Sequence, residues 1–93
     1  MNAPIIDNAA EHRFEMRIAE DAVAAIYYRI DGDNVVMIHT DVPSEYAGQG
    51  LATRLARGAF ALIRRSGRKA VLKCPFLGEF YRRHPEHADI VAG

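Results

Sequence analysis

The residues of this 93-residue chain that could do chemistry are few and stand apart from one another. Cys74 is the lone cysteine and precedes Pro75. As a thiolate it would be a covalent nucleophile, and Lys73, Arg82 and Arg83 are cations that could lower its pKa. Its competing role is that of a small buried hydrophobe at a strand end. His39 has the near-neutral pKa that suits a general base, or is simply hydrogen-bonded structure. A third feature is Gly48-Gln49-Gly50-Leu51-Ala52-Thr53, where two glycines meet the start of a helical pattern. Backbone N–H groups at a helix N-terminus lack intrahelical partners, and with the helix dipole they form a site for phosphate. Glycine would let the phosphate approach closely, Ala52 keeps the first turn slim, and Thr53 adds a hydroxyl. His12, His84 and His87 make no zinc motif with Cys74.

These residues need elements to hold them. Residues 1–10 show no clear period and are expected to be a flexible N-terminus, with one domain over 11–93. Phe14, Met16 and Ile18 alternate with polar neighbours, as in a half-buried strand. Ala24, Ile26, Tyr28 and Ile30 mark a second strand, and Asp31-Gly32-Asp33-Asn34 is a turn that closes a hairpin into a third. Val35-Val36-Met37-Ile38 is apolar on both faces, which predicts a central strand covered on each side. After Pro43 the period changes: Leu51, Leu55, Ala59, Leu62 and Ile63 recur at three and four, predicting a helix over about 49–66 with Gly67 as its cap. A short strand over 70–74 and a second helix over about 76–83 follow, ended by His84-Pro85. The order βββ-α-β-α is α/β (α+β), a compact mixed sheet. Its right-handed strand–helix–strand crossover makes two strands parallel, and two helices pack on the sheet.

Composition narrows the class. Residues 1–46 hold three arginines against nine carboxylates, and residues 47–93 hold nine basic groups against three carboxylates. Such asymmetry implies either a basic face for an anion or two halves that neutralise each other. The apolar runs are too short to span a bilayer, the start lacks a signal-peptide pattern, and one cysteine makes no internal disulfide. A cytoplasmic protein that does not act at a membrane is therefore expected. Arg54, Arg57, Arg64 and Arg65 would suit phosphate contacts, but no aromatic–basic interleaving accompanies them, so no nucleic-acid partner is expected.

The glycine loop is not a nucleoside-triphosphate loop, since no Lys-Ser or Lys-Thr follows. Nor is it a full dinucleotide fingerprint, since Thr53 stands at the third glycine position. Ala47-Gly48-Gln49-Gly50-Leu51-Ala52, after a strand and a Val-Pro, resembles instead the acyl-CoA loop of the Gcn5-related N-acetyltransferases. Gly50 and Ala52 match its last two fixed positions; Ala47 departs, where that family has Arg or Gln. A wider resemblance covers most of the chain. His39-Thr40-Asp41-Val42-Pro43, the glycine loop, Cys74-Pro75-Phe76 and Tyr81-Arg82-Arg83-His84-Pro85-Glu86 together look like the short single-domain proteins of that superfamily.

The resemblance implies acetyl-CoA as cosubstrate, without a metal. The pantetheine arm would run between splayed strands over about 35–41 and 70–74. Cofactor contacts would fall on Ile38, His39, Thr40 and Val42, and on Gly48, Gln49, Gly50, Leu51, Ala52 and Thr53, with Arg82 and Arg83 near the adenosine phosphates. It also implies Tyr81 as the acid that protonates the departing CoA thiolate and Cys74 as a possible acetyl carrier, with His39 the candidate base. The implied activity is transfer of acetyl to an unidentified amine, on a small molecule or a protein. The alternative is a non-enzymatic CoA-binding or protein-interaction module, favoured by Ala47 and by the lack of an obvious carboxylate base.

Overall fold

In the computed structural model, which describes residues 4–92, seven regular elements follow one another. They are β1 (Ile5–Asn8), β2 (Arg13–Ala19), β3 (Ala22–Asp31), β4 (Asn34–Asp41), α1 (Leu51–Ser66), β5 (Lys69–Leu72) and α2 (Pro75–Arg83). The strands form one sheet in the order β1-β2-β3-β4-β5. Every pairing is antiparallel except β4–β5, which is parallel across the α1 crossover. This is the mixed α+β architecture that the βββ-α-β-α order predicts.

The cross-strand register sorts the sheet residues between two faces, because directly opposed residues share a face. Phe14, Met16, Ile26, Tyr28, Val35 and Met37 fall on one, and they join Leu55, Ala59, Phe60, Ile63, Leu77, Phe80 and Ile90 from the helical segments in a single core. All helical cover therefore lies on that face. Removing these side chains from water is what holds α1 and α2 on the sheet, at roughly 1.5–3 kcal/mol for each large one.

Two expectations need correction. Residues 5–8 are not a flexible tail: they pair with Arg13–Met16 as β1, and Ile5 packs against the core. The local pattern hid this strand because Asp7 and Asn8 interrupt its apolar run, and it is held by α1 rather than by its own alternation. Residues 1–3 of that expected tail lie outside the described residues. Second, β4 is helix-covered on one face only. Val36 is buried on the other, between Arg29 and Val71 in the register, whereas Ile38 is 46% exposed. The cause is a bulge: pairing passes from Tyr28↔Met37 to Tyr27↔His39, which leaves Ile38 outside the ladder. Helix α2 ends at Arg83, as expected from His84-Pro85, and the chain beyond it still packs on the fold. A 3-10 segment (Pro85–Ile90) buries Ile90, and Val91 then bridges to Ala70, with Ala92 N–H donating to the Ala70 carbonyl at 2.8 Å.

Candidate functional site

The loop into α1 is built by its glycines. Gly48 and Gly50 have φ of 81° and 74°, in the left-handed region that side chains disfavour. Gly50 is the N-cap of α1, and no side chain caps the helix there; its first turn carries no acidic residue. The first intrahelical bond shown is from Arg54 N–H to the Gly50 carbonyl, at 3.2 Å. The preceding N–H groups, from Leu51 to Thr53, thus open the helix without an internal acceptor, beside exposed Gly48, Gln49 and Gly50. A helix N-terminus with neither cap nor carboxylate is a positive end waiting for an anion.

Next to it, β4 and β5 part. Their register runs from Asn34↔Lys69 to Met37↔Leu72, and the last bond is Lys73 N–H to the Met37 carbonyl at 2.9 Å. Beyond the Ile38 bulge β4 continues to Asp41 while β5 has ended, so Ile38 to Asp41 flank an opening on that side.

Cys74 sits at this opening as the N-cap of α2, with Pro75 next, where its missing N–H costs nothing. It is 6% exposed, and its Sγ lies 3.4 Å from the Thr40 Oγ1 across the gap. Burial pushes the thiol up. The Thr40 hydroxyl and the backbone N–H groups of Leu77, Phe76 and Thr40 push it down, and the net direction is below the ordinary thiol value. Donors at the start of a helix thus overcome desolvation.

Tyr81 is half-buried on α2, seven residues beyond Cys74 and about 10 Å along the axis. Cys74, Gly78 and Tyr81 stand at i, i+4 and i+7, on one flank of the helix. Helical side chains lean toward the N-terminus, which is the direction of Cys74 from Tyr81. A Cβ at Gly78 would meet no atom within 4 Å. That flank of the helix is therefore open at Gly78. Sequence reasoning passed over Gly78; its signal was a glycine inside a nine-residue helix with no capping role.

The remaining candidates scatter. His39 is exposed and stacks on Tyr27 at 6.3 Å, on the helix-free face, whereas its neighbour Thr40 points to the other face and to Cys74. Tyr27 in turn accepts a hydrogen bond from Arg13 at 3.2 Å. Val42 is half-buried and packs against the core. Arg82 and Arg83 are exposed and both pair with Glu79, so they solvate the outer side of α2. Among the described residues, none of the five ion pairs joins the acidic half to the basic half.

A family model described as GCN5-related N-acetyl-transferase matches residues 13–90. The chain belongs to the GCN5-related N-acetyltransferase family. Protein NATD1 of Homo sapiens is 32% identical over 63 residues, which is 67% of this chain and 56% of the human protein. The Gallus gallus protein is 32% identical over the same length, 57% of its own. The chain thus spans little more than half of these relatives. Protein NATD1 of Danio rerio is 28% identical over 75 residues, covering 78% of this chain and 68% of the relative. The solution structure of a GCN5-like protein from Staphylococcus aureus superimposes with a TM-score of 0.74 at 26% identity, over 99% of this chain and 90% of that one. In this N-acetyltransferase fold, no helix among the described residues is long and apolar enough to cross a membrane.

Proposed function

We propose that the chain binds acetyl-CoA and transfers its acetyl group to an amine. The observation that carries this reading is the uncapped N-terminus of α1, opened by two left-handed glycines beside the place where β4 and β5 part. The N–H groups of Gly50 to Thr53 would hold the pyrophosphate. The edge of β4 from Ile38 to Val42 would hold the pantetheine arm, which carries the thioester toward Cys74.

Two routes use these residues. In one, the Cys74 thiolate attacks the thioester carbonyl, so a new Cys–acetyl thioester forms and the bond to the CoA sulfur breaks, with Tyr81 giving that sulfur a proton. An amine then attacks the acetyl-cysteine, its proton passes to water, since His39 faces away from Cys74, and the Cys74 thiolate is released. In the other, the amine attacks acetyl-CoA directly and Tyr81 again serves as acid. The buried thiol, lowered by the α2 N-terminus and Thr40, favours the first. Ala47, lacking the family's Arg or Gln side chain, favours a second reading in which CoA is bound without turnover.

Calorimetric titration with acetyl-CoA, followed by an amine panel with wild type and Cys74→Ala, tests these readings. Saturable binding, an acetyl group on Cys74 by mass spectrometry, and turnover lost in Cys74→Ala support the cysteine route. Turnover retained in Cys74→Ala but lost in Tyr81→Phe supports direct transfer. Binding without turnover supports the module, and no binding to the folded chain removes the reading.

A further inference from the structure

A cavity of about 460 Å³ lies away from the acetyl-transfer cleft. One wall is the last part of α1, from Leu62 to Ser66, whereas the glycine loop is at the other end of that helix, roughly 17–23 Å away along the axis. On β4 it touches Val35, roughly 16 Å along the strand from Thr40. It is therefore neither the CoA groove nor the acceptor side of Cys74.

Its floor is apolar, formed by Phe14, Val35, Leu62 and Ile63, and its size falls in the range of small-molecule sites. Its polar groups have opposite sign. The Asp7 carboxylate accepts a hydrogen bond from the Tyr28 hydroxyl through Oδ1 at 2.5 Å, and no protein donor within the described residues bonds its second oxygen. Arg68 lines the same cavity, close enough to Tyr28 for its charge to act on the phenol. Among the described residues it forms none of the ion pairs. His12 shapes the rim at φ 55°, the one non-glycine residue with positive φ among the described residues. Two bonds hold it there: its N–H donates to the Ala9 carbonyl at 3.2 Å, and its carbonyl accepts from Tyr28 N–H at 2.9 Å. Backbone held in a disfavoured region by surrounding bonds is a recurrent feature of ligand clamps.

We propose that this cavity binds a free apolar α-amino acid, with its ammonium on Asp7, its carboxylate on Arg68 and its side chain between Phe14, Val35 and Leu62. One carboxylate and one guanidinium at the mouth of an apolar pocket match a zwitterion better than a simple anion or cation, each of which would leave one charge unanswered.

The test is an amide-resolved NMR titration of the full chain with L-leucine and L-phenylalanine, alongside N-acetyl-leucine and leucinamide. Saturable shifts confined to residues 7–12, 28–30 and 62–68 are expected. Both derivatives should bind about tenfold more weakly or worse, since each removes a charged hydrogen bond. Asp7→Asn keeps an acceptor for Tyr28, and Arg68→Gln changes an exposed side chain. Each should keep a dispersed spectrum and weaken leucine binding by a similar factor. No saturable shift with either amino acid overturns the proposal, as does equal affinity for the derivatives. Shifts centred on the glycine loop or Cys74 overturn it too, since they place the amino acid in the acetyl-transfer cleft.

Discussion

Helix α1 uses glycine in two places for opposite reasons. At its entrance, Gly48 and Gly50 adopt angles that other residues resist, yet a Cβ on either would meet nothing within 4 Å. In its middle, Gly58 has ordinary helical angles, and a Cβ there would lie 2.3 Å from Cγ1 and 2.8 Å from Cβ of Ile5. The entrance is shaped by backbone conformation and left empty; the middle is shaped by space and filled by β1. An empty, uncapped helix start is what a ligand site needs, and a filled notch is what a strand edge needs to be held.

The difference can be broken most directly at the entrance. Gly50→Glu is expected to cut acetyl-CoA affinity by about 100-fold, roughly 2.8 kcal/mol, by placing a carboxylate where the pyrophosphate would sit. Its left-handed angle should cost only about 1–2 kcal/mol of stability. Calorimetry with circular dichroism of the same samples reads both, and unchanged affinity would remove the loop from the cofactor site. The middle should respond the other way. Gly58→Ala should destabilise the fold by about 1–3 kcal/mol in denaturant titration, as overpacking does, while affinity stays within about threefold. Adding Ile5→Ala should restore part of the loss, because it removes Cγ1 and Cδ1, two of the three atoms that the new methyl meets, and leaves only Cβ. A purely additive double variant would mean that β1 is not held at this notch.

Gly78 sharpens the contrast, since it combines ordinary angles with empty surroundings. Gly78→Ala should stabilise α2 by about 0.5–1 kcal/mol through its higher helix propensity. It should also slow acetyl transfer several-fold by placing a methyl on the helix flank that Cys74 and Tyr81 share. If turnover is unchanged, that flank is not part of the cleft. The smallest effect is expected at Thr40. The pH profile of Cys74 alkylation should have its midpoint below the ordinary thiol value, and Thr40→Val should move it upward by removing a donor to the thiolate. The sign for stability follows: a thiol whose folded pKa is depressed favours the fold as pH rises through that pKa, and loses this contribution as pH falls. Tyr28 behaves oppositely. Burial and Asp7 push its phenol up to about 12, so its contribution is complete below the ordinary tyrosine range and fades as alkali ionises it.

Much of the fold was legible because two periods are written plainly. Alternation marked β2 and β3, and the three-and-four spacing from Leu51 to Ile63 marked α1, which the structure bounds at Leu51–Ser66. Gly67 caps it as expected, at φ 80° with its N–H on the Arg64 carbonyl. The strand β1 and the segment after Pro85 were not legible, because neither stands alone. Ile5 needs the notch at Gly58, and Ile90 needs the core between α1 and α2. The glycine loop and Cys74 were visible as types of residue at telling positions. Their surroundings were not: the Thr40–Cys74 contact joins residues 34 apart, and the bulge at Ile38 arises only from pairing with β3.

What the sequence determined by itself is therefore local: which segments twist into helix or extend into strand, where glycine must stand, and the family resemblance carried by motifs in order. What the tertiary structure decided is which groups meet. Sequence spacing along β4 does not show that Thr40 faces Cys74 while His39 faces away onto Tyr27; the alternation of a strand, shifted by one bulge, does. A thiol is likewise the same residue wherever it stands in a chain. Only at the first turn of a packed helix, under Thr40, do burial and oriented N–H groups compete over its proton.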